Sequence, residues 1–133
     1  MLTRARIAVL VSGGGTNLEA LLRSQERGNL AHGEIVLVCA SRPGVYALTR
    51  AANHGVPGVV VERSGKSQEC FETELQEHLL RCKADVIVLA GFLSILSADF
   101  VRRWPDRIVN VHPSLIPSFC GKGYYGLRVH EAA

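Results

Sequence analysis

A chain of 133 residues is long enough to close one hydrophobic core without disulfides or a metal as staples, so a single domain over 1–133 is the expectation. With 47% apolar and 20% charged residues, the composition excludes disorder, and the apolar runs are too short to cross a bilayer. The net charge of +3 comes from dispersed basic residues, which disfavours a nucleic-acid partner and suits an anionic small molecule.

The N-terminus "MLTRARIAVL" runs straight into "SGGGTN" rather than a small-residue cleavage site, so a cytoplasmic protein is expected. "RIAVLVS" (6–12) has the Ile and Val content of a strand and is stopped by glycines. From Asn17 to Arg27, Leu18, Leu21 and Leu22 fall at helical spacing, with Gly28 as the stop. "EIVLVCA" (34–40) is the second strand, "GVYALTRAANHG" (44–55) a helix closed by Gly55, and "GVVVE" (58–62) a short third strand. Ser67 caps a helix in which Phe71, Leu75, Leu79 and Cys82 recur every three or four residues. "ADVIVLAG" (84–91) is the most buried-looking strand; Ser97 then caps "ADFVRRW", and "RIVNV" (107–111) is the fifth strand.

Strands that are apolar on both faces and alternate with helices call for an α/β fold: a mostly parallel sheet with helices on both sides. Such sheets place their sites outside the carboxyl ends of the strands, where strand order reverses. "SGGGTN", "GFLSILS" and "NVHPSLIP" all follow predicted strands and are expected to converge at that edge. Cys39, Cys70, Cys82 and Cys120 lack the close pairing of a zinc or dithiol site, so no metal is expected.

Three stretches carry chemistry. In "SGGGTNLEALL" (12–22) a glycine turn leads into a helix. Its backbone can approach a ligand closely while the first helical amides, with Thr16 and Asn17, offer donors to a phosphate monoester. It is neither a Walker loop nor a dinucleotide fingerprint, and a plain tight turn is the alternative. "AGFLSILS" (90–97) stays apolar in a loop, which fits either a slot for a flat ring or packing beneath the next helix. "NVHP" sets Asn110 and His112 at i and i+2, on one strand face about 7 Å apart, as donors for a developing oxyanion. A histidine side chain is also the type that can move protons at neutral pH. His32, His54 and His78 read as solvent-facing.

Taken in order, "SGGGTNLEALL", "ADVIVLAGFLSILS", "NVHPSLIPSFCGKGYYG" and "VHEA" resemble the glycinamide ribonucleotide formyltransferases of the folate formyltransferase and hydrolase family. The Asn-X-His-Pro-Ser-Leu-X-Pro stretch marks the wider family and the glycine turn narrows it. The resemblance implies a Rossmann-like formyltransferase fold and a co-substrate, 10-formyltetrahydrofolate, whose formyl group passes to glycinamide ribonucleotide without a metal. It implies that Gly15, Thr16 and Asn17 hold the substrate phosphate, that Leu93, Ser94, Ile95 and Leu96 receive the folate with Asn110, and that Asn110 and His112 are catalytic. The family commonly has Met-Arg where this chain has Leu93 and Ser94, and often a basic residue, facing the folate tail, at the position of Gln68; Lys66 and Arg63 are the nearby cations. A further aspartate of the family falls after the "VHEA" helix begins, so the resemblance implies a domain incomplete at its C-terminus. The alternatives are a 10-formyltetrahydrofolate hydrolase, a methionyl-tRNA formyltransferase, or a noncatalytic phosphate-binding module.

Overall fold

The structure, a computed structural model, describes residues 5–28 and 33–111. Among these, five strands and four helices alternate: β1 (Ala5–Val11), α1 (Thr16–Glu26), β2 (Gly33–Ala40), α2 (Tyr46–Asn53), β3 (Gly58–Val60), α3 (Gln68–Arg81), β4 (Val86–Ala90), α4 (Ala98–Arg102) and β5 (Ile108–Val111). All pairings are parallel, in the order β3-β2-β1-β4-β5. This is the α/β sheet the alternation predicts, and the element ends fall within a few residues of the sequence reading.

Period-two alternation sorts the strand residues between two cores. Ala8, Leu10, Cys39, Ile87, Leu89 and Ile108 face α3 and α4, where they meet Phe71, Leu75, Leu79, Phe100 and Trp104. Val9, Val11, Val38, Ala40, Val88 and Ala90 face the other way, onto Leu18 and Leu22 of α1 and Ala47 and Ala51 of α2. Cys39 is part of the first core, and burial pushes its thiol up to about 12. Cys82 caps the C-terminus of α3 and is half-buried. Cys120 lies outside the described residues.

Both serine caps read from the sequence form. Ser67 Oγ accepts from Cys70 N–H at 3.1 Å and Ser97 Oγ from Phe100 N–H at 3.2 Å. The third strand is shorter than "GVVVE" suggests, since the pairing with β2 ends at Val60. Even so, Val61 N–H still reaches Ala40 C=O at 2.9 Å. At the other end of the sheet, Asp85 N–H donates to Arg6 C=O at 2.7 Å while Arg6 N–H donates to the Asp85 carboxylate at 2.9 Å. That reciprocal pair sets the entry of β4 beside β1.

Phe71 is 1% exposed and fills the space between α3 and the sheet. Phe71→Ala is expected to cost about 3–5 kcal/mol, the range for emptying a large core site. Urea unfolding followed by far-UV circular dichroism measures it, with exposed Leu80→Ala as the near-neutral control.

Candidate functional site

From β1 the chain builds outward through β2 to β3, then returns to start β4 on the opposite side of β1. Strand order therefore reverses between β1 and β4, and the loops after these two strands diverge there and leave a crevice at the carboxyl edge. Ser12 ends β1 and Ser41 ends β2, one step beyond the register pair Val11 and Ala40. The two serines are 2% and 3% exposed, and their hydroxyls lie 2.8 Å apart. Ser12 Oγ also accepts from Leu93 N–H at 2.9 Å, across the crevice from the loop that follows β4.

Beside this junction lies an open cleft of about 290 Å³ lined by Ser12, Ser41, Arg42, Arg63, Ser64, Leu93 and Ser94. Its charged lining consists of two arginines and no carboxylate, which suits an anionic ligand. Arg42 Nε donates to Ser12 C=O at 3.0 Å, and the Arg63 guanidinium lies 5.7 Å from the Phe71 ring centroid. A cleft of similar size between α3 and α4 carries Glu69, Glu72 and Asp99 against one cation, Arg103, so its net charge opposes such a ligand.

The loop from Gly91 to Ser97 resolves the two readings of its apolar character by serving both. Phe92 and Leu96 pack against the α3/α4 core, while Leu93 and Ile95 stand 80% and 79% exposed. Helix α3 holds the loop in place. Gln68 Nε2 donates to Ile95 C=O at 2.7 Å, and the Glu72 carboxylate accepts from Ser97 N–H at 2.6 Å and from Ser97 Oγ at 2.7 Å. Gln68 is thus a fastener for the apolar loop rather than a free group. Lys66 pairs with Glu74, so of the two cations near Gln68 only Arg63 lines the cleft.

The glycine turn lies at the same edge. Gly15 is the N-cap of α1 at φ +83°, and no side chain caps the helix. A Cβ on Gly15 would stand 2.8 Å from Ala47 Cβ and 2.9 Å from Ala47 Cα, so the close approach of α2 requires glycine there as much as the positive φ does. Thr16 is exposed and Asn17 half-buried at the head of α1. Asn110 is half-buried in β5, in register with Leu89. By the strand alternation it shares the face of Ile108, toward α3 and α4. His112 and His32 lie outside the described residues.

His54 corrects an expectation. Read as solvent-facing, its side chain is only 15% exposed and bridges two carboxylates of α1, with Nδ1 2.5 Å from Glu26 and Nε2 3.0 Å from Glu19. Glu19 also receives Arg23 at 2.9 Å and Arg50 at 3.3 Å. The His54 hydrogen bond, then those of Arg23 and Arg50, lower the Glu19 carboxyl to about 2. Glu26 and then Glu19 raise the His54 imidazole above its ordinary value. A histidine four residues past Arg50 and just before a glycine stop carries no sequence sign of partners on another helix.

The sequence pattern described as formyl transferase matches residues 5–133. The chain belongs to the formyl transferase family. The trifunctional purine biosynthetic protein adenosine-3 of Drosophila melanogaster is 43% identical over 132 residues, which are 98% of this chain and 9% of that protein. The chloroplastic phosphoribosylglycinamide formyltransferase of Vigna unguiculata is 32% identical over 130 residues, 97% of this chain and 41% of that one. This formyl transferase chain therefore spans less than half the length of these relatives. The crystal structure of phosphoribosylglycinamide formyltransferase from Brucella melitensis superposes with a TM-score of 0.79 at 34% identity, covering 98% of this chain and 67% of that one. A formyltetrahydrofolate deformylase from Pseudomonas putida shares the fold at 24% identity, with a TM-score of 0.73 over 82% of this chain and 38% of that one.

In this formyl transferase the sequence-predicted Leu93 and Ser94 reach the cleft beside Ser12, a residue the sequence reading passed over along with Ser41 and Arg42. A usable signal was present. "VLVS" and "VCAS" both end a buried strand in serine, and two hydroxyls at matching ends of parallel strands are natural hydrogen-bond partners.

Ser12→Ala would strip a partner from both Ser41 and Leu93 N–H at a buried junction. It is expected to destabilise the fold by about 1–3 kcal/mol in urea titrations, whereas exposed Ser64→Ala leaves it unchanged. The α1–α2 latch carries a pH signature. The stabilising contribution of Glu19 is complete above its ordinary 4.5 and fades as pH falls toward 2, while that of His54 is complete below its ordinary 6.5 and fades as pH rises through its elevated value. The latch is therefore strongest between 4.5 and 6.5. The thermal midpoint at about pH 6 is expected to exceed that at about pH 9, and His54→Gln to remove most of that difference in scanning calorimetry.

Proposed function

We propose that this formyl transferase acts as a phosphoribosylglycinamide formyltransferase, moving the formyl group of 10-formyltetrahydrofolate to the amine of glycinamide ribonucleotide in purine synthesis. The observation that carries the reading is the Ser12 to Leu93 hydrogen bond, which ties the segment entering the glycine turn to the apolar loop across the β1/β4 switch point. A phosphate ester held at the turn and a flat ring held at the loop then approach one another at the edge where β5 delivers Asn110. The likeness to the Vigna and Brucella phosphoribosylglycinamide formyltransferases supports this acceptor, and the likeness to the trifunctional purine biosynthetic protein of the fly supports purine synthesis.

In this reading the amides and side chains of Gly15, Thr16 and Asn17 hold the substrate phosphate, at a turn whose backbone approaches a ligand without side-chain obstruction. The loop from Leu93 to Leu96, with Leu93 and Ile95 turned outward, receives the pterin mainly through its backbone. The substrate amine attacks the formyl carbon, and the carbonyl electron pair moves onto oxygen. The Asn110 carboxamide N–H and the His112 imidazolium donate to that oxyanion. The oxyanion pair then re-forms the carbonyl as the carbon–nitrogen bond to the folate breaks; His112 gives its proton to the departing folate nitrogen and takes the surplus proton of the former amine, returning to the imidazolium. Both substrates are small molecules, the protein works in the cytoplasm, and no step requires a metal. The net positive charge and the arginine-lined cleft suit two anionic substrates.

The purified protein, supplied with both substrates, is expected to transfer formyl, with Asn110→Ala lowering kcat by about 10²–10³-fold, the usual loss for one oxyanion donor. Binding of glycinamide ribonucleotide in calorimetry without any transfer would make the chain a phosphate-ester binding module instead. Formyl release to water would make it a hydrolase.

A further inference from the structure

The glycine turn is shaped by α2, an element that neither motif nor resemblance connects with the ligand. Ala47 N–H donates to Gly13 C=O at 3.4 Å, and Arg50 Nε donates to Gly14 C=O at 2.8 Å. Two successive carbonyls of the turn are thus drawn toward the same helix. Across a trans peptide the C=O of one residue and the N–H of the next point in opposite directions, and no described peptide is cis. Drawing the Gly13 and Gly14 carbonyls toward α2 therefore turns the Gly14 and Gly15 N–H groups away from it. Among the described residues neither of these two amides donates a hydrogen bond. They join the uncapped first amides of α1 in a run of outward donors, the arrangement that cradles an anion.

Arg50 is itself held in place. Its Nη1 lies 3.3 Å from Glu19 of α1, its guanidinium lies 4.8 Å from the Tyr46 ring centroid, and Glu19 is gripped in turn by His54 and Arg23. A planar fork with two anchored donors has one orientation available to it, which a lysine ammonium at the same position does not. We propose that Arg50 is a positioning residue for the substrate phosphate. Acting through the Gly14 carbonyl, it presents the Gly14 and Gly15 amides to the phosphate ester without touching it. The inference rests on the phosphate reading of the turn made above.

The test uses ribose 5-phosphate as the probe, with calorimetry for affinity and thermal unfolding as a separate readout. Arg50→Gln is expected to weaken binding about tenfold and to raise KM for glycinamide ribonucleotide by a similar factor. KM for the formyl donor and kcat stay within about threefold. Arg50→Lys, which keeps the charge but carries its donors on a single nitrogen in place of a planar fork, recovers part of the affinity. Unchanged affinity in folded Arg50→Gln overturns the inference while leaving the phosphate reading intact. Wild-type protein that binds neither ribose 5-phosphate nor glycinamide ribonucleotide overturns the phosphate reading and the inference with it. A measurement on the wild type needs no variant to fold: the Gly14 and Gly15 amide proton resonances are expected to move downfield on titration with ribose 5-phosphate. If both stay still while the probe binds, the inference fails.

Discussion

The hydroxyl of Ser12 has to find its hydrogen bonds where water does not reach, and in doing so it joins three segments that are far apart in sequence. It hydrogen-bonds the Ser41 hydroxyl at the end of β2 and accepts from Leu93 N–H after β4, where the strand order of the described sheet reverses. An unpaired buried hydroxyl is costly, so the ends of β1, β2 and β4 are constrained together rather than one by one. The carboxyl edge inherits its shape from that constraint. The cleft beside it, the approach of the apolar loop, and the direction in which the chain leaves β1 toward the glycine turn all follow.

A second constraint works on the opposite face of the sheet, through size rather than polarity. Ala47 and Ala51 are fully buried where α2 crosses α1 and the glycine turn. Small side chains there bring the Ala47 N–H within reach of the Gly13 carbonyl and the Arg50 side chain within reach of the Gly14 carbonyl, and the absence of a Cβ on Gly15 completes the fit. The charged network of Glu19, Arg50 and His54 then sits on top of an approach already made by packing, and it orients more than it binds. Partly exposed ion pairs of this kind contribute little stability singly. Their value here is that Arg50 has two fixed partners and so one direction.

The two helical layers thus serve different ends. Helices α3 and α4 supply the larger hydrophobic core and, through Gln68 and Glu72, hold the loop after β4 with Leu93 and Ile95 turned outward. Helices α1 and α2 hold the glycine turn between them. In the proposed reading, a substrate with a phosphate ester at the turn and one with a flat ring at the loop would meet at the same edge, each held by a different layer.

Much of this was legible in the residues themselves. Apolar runs without inward–outward alternation can be stable only when both faces are covered, so "EIVLVCA" and "ADVIVLAG" announced a parallel sheet, and Ser67 and Ser97 announced two helix starts through purely local hydrogen bonds. The glycine turn before α1 was likewise a local pattern of residue type and spacing, readable before any tertiary contact was known. What local pattern could not contain was partnership at a distance. Ser12 finds Ser41 and Leu93, 29 and 81 residues away, only because β1 lies between β2 and β4. Arg50 finds Gly14, and His54 finds Glu19, only because the alanines of α2 let it settle against α1. The sequence by itself determined which groups were available at the carboxyl edge; the tertiary structure decided which of them hold one another, because burial forces each polar group to take a partner that only the packing of the sheet can bring near.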